Sequence, residues 1–317
     1  MTEARGNVIV GQSGGPTAVI NSSLAGVFKT AKDRGAKKVY GMLHGIQGLL
    51  QERCVDLEEH IKSDLDIELL KRTPSAYLGS CRFKLPEICD DRDIYDKIFS
   101  ILDKLKVEYF FYIGGNDSMD TIKKLSDYSL LNGSKIRFMG VPKTIDNDLA
   151  ATDHTPGYGS AAKYIGAITK EVIRDGLVYD QQNVTILEIM GRNAGWLTGA
   201  AALAKGEDCE GPDMLFLPEV TFDVDSFMKK VEELHKKKAS VVVAVSEGVK
   251  LADGRYVCEL TDGIEFVDAF GHKQLTGTAR FLAEKINREV GCKTRAIEFN
   301  SLQRCASHIV SRVDITE

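Results

Sequence analysis

Two short segments of this chain hold most of the residue types that could move a phosphoryl group. Residues 109–113 form an apolar run that stops at Gly114-Gly115 and continues as Asn116-Asp117-Ser118; residues 136–141 form a second run that stops at Pro142-Lys143-Thr144-Ile145-Asp146-Asn147-Asp148. Asp146 and Asp148 put two carboxylates on one short loop, with the cation of Lys143 beside them. Gly114 and Gly115 let backbone amides approach an anion closely, and a helix start after them would add partial positive charge. A base, a metal or phosphate partner and a positive clamp are the parts that phosphoryl transfer uses. On spacing alone, a plain turn at Gly-Gly-Asn and a capped loop at 144–148 fit the same residues.

The elements that must position these groups follow from the apolar pattern. Each of the two runs predicts a buried parallel strand, and ligands of open α/β sheets sit outside the carboxyl ends of such strands. A strand at 7–10 precedes the Gly-rich loop 11–17, which opens a helix; strand, glycine turn and helix make a phosphate-binding arrangement, though neither a Walker A nor a GxGxxG. Further strands are predicted at 38–42, 184–190, 214–217, 240–245 and from Lys293, with helices from about 160 to 174, at 197–205 and at 223–237. Arg192, after the strand at 184–190, is expected at a helix start, again an anion-binding position. The Pro-Gly-rich stretch 152–160 predicts a hinge between domains.

Composition narrows the function class. The chain has 317 residues, 43% hydrophobic and 27% charged, with a net charge of −5. That balance predicts a globular protein and argues against nucleic acid as the main partner. No apolar run approaches the length of a membrane span, and no signal-peptide pattern opens the sequence. Seven scattered cysteines without metal-like spacing predict reduced thiols in a cytoplasm.

GGNDS followed by PKTIDND resembles the phosphofructokinase family, whose marks are a GGDGS or GGDDS loop and a TIDND loop. The resemblance extends to Leu78-Gly79-Ser80-Cys81-Arg82, to Met190-Gly191-Arg192, to Glu247 at a strand end and to Ser301-Leu302-Gln303-Arg304, and so covers essentially the whole chain. It implies an α/β fold of two Rossmann-like domains with mostly parallel sheets and an active site in the cleft between them. The expected boundaries are 1–156 plus 301–317 for a phosphoryl-donor domain and 157–300 for a fructose 6-phosphate domain. The family continues past the equivalent of Glu317, where this sequence stops at what reads as a helix start, so a missing C-terminal part is expected.

The resemblance also implies roles. Asp146 is expected as the base, with Lys143, Arg82, Thr144 and Asp117 as the other catalytic residues. Gly14, Gly15, Gly115 and Ser118 are expected on the donor phosphates, and Asn116 and Asp148 on Mg2+. Thr144, Asp146, Asp148, Met190, Gly191, Arg192, Glu247, Arg295, Ser301 and Arg304 are expected on fructose 6-phosphate. Several positions depart from the family pattern: Leu43-His44-Gly45-Ile46 stand where short ATP-using members pack the nucleotide, Asn116 replaces an aspartate, and Ser301 replaces a histidine or tyrosine.

Asp117 occupies the place where ATP-using members have glycine. A carboxylate there would repel an α-phosphate yet leave room for two phosphates, which is selection by exclusion. The expected reaction is therefore transfer from pyrophosphate to the 1-hydroxyl of fructose 6-phosphate, in a cytoplasmic homo-oligomer, a dimer rather than the tetramer of short members, because Asn183 stands where those lend an arginine. An ATP-dependent enzyme and a catalytically silent sugar-phosphate-binding subunit are the alternatives.

Overall fold

The computed structural model describes residues 6–260 and 275–317. Packing of the backbone divides the chain into two units. The first holds Met1–Ile145, Leu149–Gly159 and Arg304–Glu317; the second holds Asp146–Asp148 and Ser160–Gln303. The division differs from the expected boundaries by a few residues. Gly157 stays with the first unit because it pairs with Thr144 in a parallel bridge and its N–H donates to Asp314 Oδ1 at 2.7 Å. Ser301 stays with the second unit as part of a 3-10 turn, Asn300–Gln303, that continues the last strand.

In chain order the elements of the first unit are β1 (Asn7–Gln12), α1 (Ile20–Asp33), β2 (Val39–Met42), α2 (Gly45–Leu50), β3 (Cys54–Asp56), α3 (Asp64–Arg72), α4 (Arg92–Lys104), β4 (Val107–Gly114), α5 (Asn116–Leu131) and β5 (Arg137–Pro142). The sheet order is β3-β2-β1-β4-β5, parallel except for β3. Helical spacing explains the packed faces: α1 buries Ile20, Leu24, Ala25 and Phe28, and α4 buries Tyr95, Ile98, Phe99 and Leu102 behind an N-cap in which Asp91 accepts from Ile94 N–H. β3, α2, α3 and α4 have no counterpart among the expected elements.

The reading of 136–141 as a buried strand is corrected. β5 is the edge strand and alternates between exposed and half-buried residues. Val8, Tyr109, Phe111, Met139 and Val141 line an open cavity of about 790 Å³ on that side of the sheet. The apolar run reflects the β propensity of these residues rather than burial on both faces.

The second unit contains α6 (Tyr158–Gly176, whose first two residues belong to the first unit), β6 (Asn183–Ile189), α7 (Trp196–Ala200), β7 (Met214–Phe216), α8 (Val224–His235), β8 (Ser240–Ser246), α9 (Thr278–Glu289) and β9 (Lys293–Glu298). All of its paired strands are parallel, in the order β7-β8-β6-β9. Every residue of β8 is buried, and Val241, Val243 and Val245 pack with Phe227, Val231, Leu282 and Ile286 from α8 and α9 into one core. The chain then returns to the first unit as α10 (Arg312–Thr316). Among the described residues no helix is long and apolar enough to cross a membrane. Residues 261–267 of the expected long loop 250–267, and the segment after it to 274, lie outside the described residues.

Candidate active site

In the first unit, the ends of β1 and β4 lie side by side, and Ser13 N–H donates to the Ile113 carbonyl at 2.9 Å. The glycine loop after β1 therefore starts against the Gly114-Gly115 turn. Gly14 turns it through a φ of 76°, a conformation that a side chain would strain. The segment before Arg82 is tied to the same loop: Ser80 Oγ donates to the Gly14 carbonyl at 2.6 Å, and Gly14 N–H to the Cys81 carbonyl at 3.4 Å.

Below this layer, two buried amides hold residues 73–78 in place. Gln12 Nε2 donates to Asn21 Oδ1 at 2.8 Å; Gln12 Oε1 then accepts from Leu78 N–H, and Asn21 Oδ1 from Tyr77 N–H. Sequence reasoning missed this pair. Its only signal is two amides flanking the glycine loop at otherwise apolar positions.

Lys143, only 3% exposed, reaches the same loop, with Nζ donating to the Gly15 carbonyl at 2.7 Å. Its backbone N–H donates to the Gly114 carbonyl at 3.0 Å, and Thr144 N–H to the Pro156 carbonyl at 3.2 Å. Gly115 is the N-cap of α5, so Asn116 and Asp117 are its first, exposed residues, while Ser118 is buried. Arg304 also belongs here. Its Nη1 lies 3.0 Å from where a side chain on Gly15 would begin, and its Nε is buried without a hydrogen-bond partner among the described residues. An unsatisfied buried guanidinium donor beside a glycine loop suits an anionic ligand. Gly14, Gly15, Gly115, Ser118, Lys143, Thr144 and Arg304 are thus brought together in this unit, with Arg82 next along the chain from the bonded segment.

The glycine loop does not open α1 directly. Gly11 is within β1, and α1 begins only at Ile20. The helix N-terminus that immediately follows glycines is that of α5.

In the second unit, Asn147 takes a left-handed φ of 57° between Asp146 and Asp148, a conformation that asparagine tolerates better than most residues. At the end of β6, Met190 N–H donates to Gln303 Oε1 at 3.3 Å, and Ser246 Oγ donates to the Gly191 carbonyl at 2.8 Å. Gln303 is buried and was also missed from sequence. Gly248 is obligatory: a Cβ there would fall 2.0 Å from the Arg192 carbonyl oxygen. Glu247 N–H donates to the Ile189 carbonyl at 2.9 Å. Burial, then the charges of Glu188 and Asp146, push the Glu247 carboxyl up to about 8, against the Gly191 amide and Arg192. Asp146, Met190, Gly191, Arg192 and Glu247 are grouped by these contacts and charges, and Ser301 is exposed on the turn that carries Gln303.

One expectation fails on geometry. Arg192 is not at a helix start, because α7 begins at Trp196 and is too short to gather a useful dipole. Arg295 lies near the start of the last strand, as expected, where it pairs with Thr185 of β6 and forms an ion pair with Asp175.

The sequence profile of the phosphofructokinases matches residues 7–312. This chain belongs to the phosphofructokinase family. It is 41% identical over 311 residues to a pyrophosphate–fructose 6-phosphate 1-phosphotransferase from Xanthomonas campestris, covering 98% of this chain and 73% of that relative. A protein of the same name from Halomonas elongata is 40% identical over 318 residues, covering 99% and 74%. Among solved structures, a pyrophosphate-dependent phosphofructokinase from Nitrosospira multiformis superposes with a TM-score of 0.84 at 37% identity, covering 98% of this chain and 73% of that one. The two mostly parallel sheets described above are those of a phosphofructokinase fold.

Proposed function

We propose that this phosphofructokinase transfers a phosphoryl group from pyrophosphate to the 1-hydroxyl of fructose 6-phosphate, giving fructose 1,6-bisphosphate and phosphate. The observation that carries the choice of donor is Asp117 in the first turn of α5, directly after the Gly114-Gly115 turn. A fixed carboxylate at that point opposes a third phosphate and a nucleoside, while Lys143 and the amides around Gly14 and Gly15 serve a small dianion or tetra-anion. The names carried by the relatives point to the same donor.

In this reading the first unit is the donor side and the second the sugar-phosphate side. Met190, Gly191, Arg192, Glu247, Arg295, Ser301 and Arg304 hold fructose 6-phosphate. Asp146 takes the proton of the 1-hydroxyl as that oxygen attacks the nearer phosphorus. The bridging P–O bond breaks, and the leaving phosphate keeps its electron pair. Lys143, Arg82 and the glycine amides stabilise the negative charge that moves onto the equatorial and leaving oxygens, and Thr144 contacts the reacting hydroxyl.

Among the described residues no group of three or more His, Cys, Asp or Glu side chains could hold a metal. The exposed Asn116 and Asp148 fit Mg2+ that arrives on the phosphates, since that ion is commonly held by one or two side chains plus substrate oxygens. When bound it would withdraw charge from those oxygens. The free thiols support a cytoplasmic setting, and the exposed run Leu177-Val178-Tyr179 offers apolar surface for a homodimer.

The test is an assay of fructose 6-phosphate with each donor in turn. Release of phosphate with pyrophosphate is the expected result. Heat of fructose 6-phosphate binding without turnover on either donor would instead show a silent sugar-phosphate-binding subunit.

A further inference from the structure

The short helix α10 buries a single residue, and that residue is a carboxylate. Asp314 is 3% exposed, while the rest of the helix is exposed or half-buried. Apolar residues usually anchor such a helix, since burying a carboxylate is costly unless its charge is hydrogen-bonded. Here Asp314 Oδ1 accepts Gly157 N–H at 2.7 Å, a short, charge-assisted bond. Asp314 Cγ also lies 3.6 Å from where a side chain on Gly159 would begin.

Residues 155–157 in turn hold Thr144. Gly157 pairs with Thr144 in a parallel bridge, Thr144 N–H donates to the Pro156 carbonyl at 3.2 Å, and Thr155 Oγ1 donates to the Thr144 carbonyl at 2.7 Å. Both main-chain groups of Thr144 are therefore taken by this one segment. Thr155 is fully buried, and a Cβ on Gly157 would fall 2.7 Å from Thr17 Cγ2 of the glycine loop. The segment is wedged between that loop, the start of the Thr144–Asp148 loop and Asp314.

We infer that Asp314 is a positioning residue for phosphoryl transfer: by fixing Gly157 it fixes Thr144 and, two residues on along the backbone, Asp146. This rests on the reading of Thr144 as the hydroxyl contact and Asp146 as the base. Asp314 itself touches neither substrate in that reading, so its effect is geometric. The base must lie within hydrogen-bond reach of the 1-hydroxyl, and a displacement of about 1 Å can cost about 10²-fold in rate. What matters at residue 314 is the place of one acceptor oxygen.

The test is a double-mutant cycle on kcat, with pyrophosphate and fructose 6-phosphate as substrates. Asp314→Ala should lower kcat by about 10–100-fold, with both KM values little changed. Asp314→Asn keeps an oxygen that can accept from Gly157 and should restore most of that loss. In an Asp146→Ala background, Asp314→Ala should lower kcat far less than in the wild type, because the group being aimed is gone. A drop by the same factor in both backgrounds overturns the proposal, since a purely structural role loses folded enzyme equally in each. Wild-type kcat in Asp314→Ala overturns it too. If Asp314→Ala does not fold, Asp314→Glu takes its place in the cycle, keeping the charge but moving the oxygen by one methylene. Its kcat should fall with the same non-additivity; an unchanged kcat, or equal factors in both backgrounds, overturns the proposal. Near-normal turnover in Asp146→Ala alone would remove the reading of Asp146 as the base, and this proposal with it.

Discussion

The carboxyl edge of the first sheet is held together by backbone carbonyls, and that of the second by acids. In the first unit Lys143, Ser80 and Ser13 each donate to a main-chain oxygen of a neighbouring loop, so a glycine-rich layer with a buried lysine is stitched to itself. In the second unit, Glu188 pairs with Glu298 across β6 and β9 and accepts two N–H groups at the start of α9, and Glu247 follows the end of β8. The first arrangement suits a ligand that is all negative charge. The second suits one that is part hydroxyl, because carboxyl groups recognise hydroxyls and a phosphate needs only the arginines.

That contrast can be broken most directly at the base. Asp146→Ala should lower turnover by about 10²–10⁴-fold, the usual contribution of a general base, while the KM for fructose 6-phosphate changes little. Steady-state kinetics with saturating pyrophosphate checks it, and near-normal turnover would remove Asp146 from its role.

A smaller effect sharpens the difference between the two sheets themselves. Leu187 on β6 is fully buried, and Leu187→Ala should cost about 2–5 kcal/mol in denaturant unfolding. Met139 on edge strand β5 is 36% exposed, and Met139→Ala should stay within about 0.5 kcal/mol. Equal costs would mean that the open side of the first sheet is as well packed as the second core.

The same contrast explains how far the site could be read from sequence. The glycine loops at the edge of the first sheet were legible because they lie in contiguous segments: Gly14-Gly15, Gly114-Gly115 and Lys143-Thr144 each follow a strand whose apolar run announces it. β4 and β8 were placed for the same reason. Lys143 bonding to Gly15 was not legible, since 128 residues separate the two in the chain. On the sugar side, Met190-Gly191-Arg192 formed a visible cluster. Glu188, Ser246 and Gln303 did not, because each matters only through strand register or a contact with a distant turn. The exposure of β5 was hidden because an apolar run looks the same on an edge strand as in a core.

The central claim is that a carboxylate at the start of α5 selects the smaller donor. Its most direct test is the ratio of kcat/KM for pyrophosphate to that for ATP, measured in the wild type and in Asp117→Gly. The expected result is a wild type that turns over with pyrophosphate and not measurably with ATP, and a variant that gains ATP turnover so that the ratio falls. A wild-type enzyme that uses ATP as readily as pyrophosphate, with a ratio unmoved by Asp117→Gly, would contradict it.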